Sequence, residues 1–79
     1  MTYEEFEKGF YNDILPNKES FIRIGQALMN YLANVWLKEY KRISSIHFYD
    51  RTNIDCFYTD KLINNTLKHL KRVWKNYPN

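Results

Sequence analysis

The residues able to do covalent chemistry are few. Nucleophilic catalysis needs a nucleophile, a base and a group that orients the base. Cys56 and His47 are the only such pairing the sequence offers, and both sit in a segment dense in aromatic residues. A lone cysteine and a lone histidine in that setting read as packing residues. Asp55 and Asp60 read as loop and cap residues rather than as paired catalytic carboxylates. The two glycines lie far apart, so no glycine-rich loop is present to cradle a phosphate. Two histidines and one cysteine have no zinc-ligand spacing. The expectation is a protein that is not an enzyme and holds no metal and no cofactor.

What the sequence does carry is the chemistry of recognition. Residues 61–79 hold five positive charges, Lys61, Lys68, Lys71, Arg72 and Lys75, and no negative one. At about 100° per residue they share one helical arc. Such an arc either faces water opposite a buried apolar stripe, or tracks the phosphates of a nucleic acid. Residues 1–20 carry the opposite balance, two positive and five negative charges. The chain also has 14 aromatic residues among 79, more than so small a core can hide. Tyr11, Trp36, Tyr49 and Tyr58 are expected to stay partly exposed, and tyrosine and tryptophan are enriched where proteins meet.

These residues must be positioned by helices. Thr2 and Glu5 form a capping box at the start of TYEEFEKGFYNDIL, and Tyr3, Phe6, Phe10 and Ile14 fall on one face behind it. Pro16 is expected to stop this helix, because the residue before a proline disfavours helical angles. Asn17 or Ser20 would then cap a second helix. In it Phe21, Ile24, Leu28, Tyr31, Leu32 and Val35 form an apolar arc, and Gly25 lies inside that arc. A glycine there costs about 1 kcal/mol against alanine, which points to the close approach of another helix backbone. Continuing the helix to Arg42 would put Glu39 in the apolar arc, so a break near Asn34 is expected. A short helix from Val35 to Ile43 would follow, with Trp36, Leu37 and Tyr40 inward. Residues 43–58 fit either a short hairpin around Asp50–Asn53 or an irregular aromatic loop. The last helix starts near Thr59 or Asp60, buries Leu62, Ile63, Leu67, Leu70, Val73, Trp74 and Tyr77, and ends at Pro78. The expected fold is mainly α: one small domain over residues 1–79, a bundle of three to four helices.

No run of residues is long and apolar enough for a membrane span or a secretion signal, so a cytoplasmic location is expected. A single cysteine allows no internal disulfide. The sequon Asn64-Asn65-Thr66 carries no weight without secretion. Asn, Lys, Ile and Tyr dominate the composition, and their AT-rich codons point to a low-GC genome.

Two motifs stand out: Arg23-Ile-Gly25-Gln26-Ala27-Leu28-Met-Asn30-Tyr-Leu32, then Asp55-Cys-Phe57-Tyr58-Thr-Asp60, with Trp74 ending the helix beyond. Together they resemble a group of small uncharacterised proteins of bacteria and their phages, over most of the chain. This chain carries extra residues around Ser44 to Thr52. The resemblance implies a compact helical domain from a phage or mobile element; it implies no activity. It draws attention to Arg23, Gln26 and Asn30 on the polar side of the second helix. They are expected to bond the 55–60 segment, with Arg23 paired to Asp55 or Asp60, or else to form a recognition patch. The leading expectation is a stoichiometric binder of a host protein or defence complex, an anti-CRISPR-like inhibitor. A nucleic-acid binder using the basic arc is the alternative, and a homo-oligomer such as a homodimer, reported on by Cys56, is the second.

Overall fold

The structure is a computed structural model that describes residues 1–46 and 54–79. Its described residues form helices joined by turns and an irregular 54–59 segment, with no strand among them. Helix α1 (Tyr3–Gly9) opens on the capping box and continues into a π turn (Phe10–Ile14) and a final α-helical turn, α2 (Leu15–Asn17). The helical path therefore runs through Pro16 rather than stopping before it. In the widened turn the Leu15 N–H reaches back to the Phe10 carbonyl, which re-spaces the chain just where proline would crowd a regular helix. The Asn17 amide then donates to the Asp13 carbonyl and closes this end at 2.7 Å. Asn17 caps the first helix from behind, not the next one from in front.

Helix α3 spans Ile24–Val35. It starts later than its apolar spacing suggests, because a turn from Glu19 to Ile22 intervenes. Phe21 sits in that turn and is 76% exposed, so it is not part of the core stripe. Leu28, Met29 and Leu32 are buried, with Tyr31 and Val35 packed against them. The chain breaks at Trp36, whose non-helical backbone ends α3 and leads into α4 (Leu37–Ile46). The break falls two residues beyond Asn34. Trp36 itself is buried, as its inward place on the short helix predicts and contrary to the expectation that its ring stays partly exposed, while Leu37, also expected inward, points to water. At the corner between two helices the indole is enclosed by the C-terminal segment: its ring meets Trp74 edge-on at 5.1 Å and Tyr77 at 5.4 Å, and its Nε1–H donates to the Asn79 carbonyl.

After residues 54–59, a 3₁₀ turn (Asp60–Leu62) leads into α5 (Ile63–Val73), and a second 3₁₀ turn (Trp74–Asn76) follows. Leu67, Leu70 and Trp74 enter the core as their spacing predicts. Of the segment that reads as hairpin or loop, residues 43–46 extend α4 and 54–58 are irregular; the Asp50–Asn53 tetrad lies outside the described residues. The buried residues form one cluster, and its densest part is aromatic. Phe6 stacks on Tyr31 at 4.6 Å, and the Trp74 ring contacts Tyr3, Phe6, Trp36 and Tyr77. Such pairs add about 0.5–1.5 kcal/mol each beyond the area they bury. They tie α1, the α3–α4 corner and α5 into one body. No helix among the described residues is long and apolar enough to cross a membrane.

Candidate functional site

Two constructions place polar residues where they can act. The first is a clasp between the start of α3 and the 54–60 segment. Helix α3 has no side-chain cap of its own at Arg23, which leaves its first N–H groups needing partners. The Gly25 N–H donates instead to the Asp60 carboxylate at 2.8 Å, from 35 residues away. The Arg23 guanidinium donates to the Phe57 carbonyl at 3.0 Å, and the Cys56 thiol donates to the Gly25 carbonyl. A side chain at position 25 would overlap the Cys56 carbonyl oxygen. Glycine is therefore required by the close approach of a loop, not of another helix. The Asp55 carboxylate accepts from the Phe57 N–H at 2.9 Å and folds the loop upon itself. Arg23 makes no ion pair with Asp55 or Asp60 among the described residues: both carboxylates are already engaged with backbone N–H groups. Gln26 and Asn30 take no part in the clasp, and Asn30 lies exposed along a groove with Asp13 and Tyr31.

The clasp carries an apolar surface. Phe21 is 76% exposed, Tyr58 75% and Ile24 38%. Phe21 and Ile24 lie within two residues of Arg23, and Tyr58 follows the Phe57 whose carbonyl Arg23 holds, so all three belong to the two segments that the clasp joins. Tyr58 lies against the Phe57 ring at 4.8 Å. Of the expected recognition residues, the structure thus brings Arg23 and Tyr58 together. Tyr11 is exposed elsewhere, in a shallow depression with Lys68 and Lys71. Tyr49 and His47 lie outside the described residues. Cys56 is fully buried and cannot report on a surface contact; burial pushes its thiol up to about 11.

The second construction is a chain of ionisable groups between α4 and α5, buried at its centre and exposed at both ends. Glu39 occupies the inward arc of α4 between Trp36 and Ile43, and His69 occupies the inward arc of α5 beside Thr66 and Leu70. Their side chains are each 6% exposed, and His69 Nε2 meets Glu39 Oε2 at 2.7 Å. Arg42 donates to the same carboxylate at 3.1 Å, and Arg72 donates to His69 Nδ1 at 3.2 Å. A guanidinium only donates, so Nδ1 must accept and Nε2–H must donate to Glu39. Sequence reasoning treated Glu39 only as a reason for a helix break and missed His69. The signal was an ionisable residue on the apolar arc of each of two helices. Around this chain Lys61, Lys68, Lys71, Arg72 and Lys75 are all exposed, as their arc predicts. Among the described residues no three metal-ligating side chains converge. No family model, no curated protein and no solved structure matches the chain.

Proposed function

We propose that the chain is a non-catalytic protein-binding module that docks through Phe21, Ile24 and Tyr58. One observation carries this reading: Phe21 and Tyr58, the two most exposed large apolar side chains among the described residues, lie on the two segments that the clasp fastens to each other. Burying a side chain of this size yields about 1.5–3 kcal/mol, and little ordering entropy is lost when its backbone is already fixed. The resemblance to small phage and bacterial proteins makes the partner a host protein or defence complex. Stoichiometric obstruction, as by an anti-CRISPR inhibitor, is then the mode of action.

The test is a tagged pull-down from a low-GC bacterial lysate, with and without nuclease. A stoichiometric protein partner should survive nuclease, and its affinity should fall at least about tenfold in Phe21→Ser/Tyr58→Ser, as expected of interface anchors. Both side chains are exposed, so the double variant keeps its fold. Undiminished binding by that variant would remove this surface from consideration.

The exposure of all five cations of the basic arc favours a second reading, contact with nucleic acid. Here captured material would vanish with nuclease, binding would weaken steeply with salt, and Lys68→Glu/Arg72→Glu/Lys75→Glu would abolish it.

A further inference from the structure

We infer that the depression lined by Ile54, Asn65, Lys68, His69 and Arg72 is an oxyanion site that takes the terminal phosphate of a monoester. It is about 320 Å³ in volume. The inference is independent of the protein-binding reading. His69 is more than nine-tenths buried, and its Nε2 is committed to Glu39 on the inner side. Its Nδ1 lies on the Arg72 side, which is the side of the depression. Among the described residues the Arg72 guanidinium meets that ring nitrogen and no carboxylate, and Lys68, one helical turn earlier, has no ion pair. A neutral ring nitrogen is a weak partner for a guanidinium, whose planar fork matches an oxyanion far better. Among the described residues the charged groups around the ring are Glu39 and Arg42 from α4 and Lys68 and Arg72 from α5; the 54–60 segment adds Ile54 to the depression. Glu39 is matched by Arg42, so among the described residues Lys68 and Arg72 face the outer side of the ring with no carboxylate in an ion pair with either.

An incoming phosphate displaces Nδ1 as the acceptor for Arg72 and takes Lys68 as its second cation. One proton then lies between a phosphate oxygen and Nδ1. A monoanionic monoester brings it as its own O–H; a dianionic one meets a ring that has drawn it from water. In both cases the imidazole bridges phosphate and Glu39, each nitrogen in one hydrogen bond. The proton at Nδ1 selects the monoester. A terminal phosphate offers either an O–H or a second negative charge to the ring nitrogen, whereas a diester has neither.

The experiment is a titration of the full chain with methyl phosphate and dimethyl phosphate, read by ¹⁵N NMR of the histidine rings and by calorimetry. Methyl phosphate should move the His69 Nδ1 resonance from a bare acceptor toward a protonated nitrogen, and dimethyl phosphate should not. Arg72→Gln should weaken binding about tenfold, the loss of one charge-assisted pair. The exposed Lys8→Gln variant on α1, outside the basic arc, should leave binding within about twofold. His69→Gln should remove the proton linkage, and circular dichroism verifies that each variant is folded. An unmoved His69 ring at saturating methyl phosphate would overturn the inference, as would equal binding by Arg72→Gln. Equal binding of dimethyl phosphate, or of an oligonucleotide without terminal phosphate, would also overturn it and transfer these residues to backbone contacts with nucleic acid.

Discussion

Helices α1 and α3 begin in opposite ways. At α1 every partner is local: the Glu5 N–H donates to Thr2 Oγ1 at 3.1 Å, and the Thr2 N–H donates to Glu5 Oε1 at 2.8 Å. At α3 the carboxylate that answers the helix belongs to Asp60. The first cap forms as soon as one turn does. The second exists only once the chain has folded back on itself, and it joins two segments rather than ending one. A local cap therefore stabilises a turn, whereas a remote cap couples the start of α3 to the loop that presents Tyr58.

The largest perturbation of this contrast is Gly25→Ala. Alanine gains about 1 kcal/mol of helix propensity, but its methyl group overlaps the Cys56 carbonyl. Forcing that contact costs up to about 3 kcal/mol, so the urea midpoint should fall. Asp60→Ala should follow at about 1–2 kcal/mol, the loss of a helix cap. It should also speed amide exchange at Gly25 and at Thr59, whose N–H bonds the Cys56 carbonyl. Alkylation of Cys56, slow in the native chain because the thiol is buried and lifted to about 11, should accelerate in the same variant. Thr2→Ala should cost about 1 kcal/mol, with faster exchange confined to the first turn of α1. The smallest effect is acidic. The Thr2 backbone N–H first, and its hydroxyl second, hold the Glu5 carboxyl below the ordinary glutamate range. That contribution is complete above the ordinary range and is lost as pH falls through the lowered value. Glu5→Gln should flatten this part of the stability profile.

The same contrast explains what could be read in the sequence. The capping box, the inward arc of α5 and the break after α3 depend on neighbours within a few positions, and each follows from spacing. Gly25 announced a close approach, but spacing cannot say whether a helix or a loop arrives. Phe21 reads as core only if α3 has begun, and the π turn and the following turn delay that start to Ile24. Trp36 reads as inward by its helical spacing yet as a candidate surface aromatic, because the residues that cover it, Trp74, Tyr77 and Asn79, lie about half the chain away. Arg23 shows a charge in the sequence, yet what it meets is a carbonyl. Glu39 and His69 each look like an exception on an apolar arc. Only their pairing makes either one affordable in the interior.

The tryptophan cluster makes the molecule its own optical probe. Both indoles are buried and touch one another, and Tyr3 and Tyr77 lie against Trp74. Light absorbed by these tyrosines will drain into the indole pair, and emission will come blue-shifted from a dry site. A fluorescence melt follows the joint release of α1, the α3–α4 corner and α5. The clasp holds no tryptophan, only Phe57 and Tyr58. Its opening would pass nearly dark, so a single emission trace can look two-state while the surface around Tyr58 has already come apart.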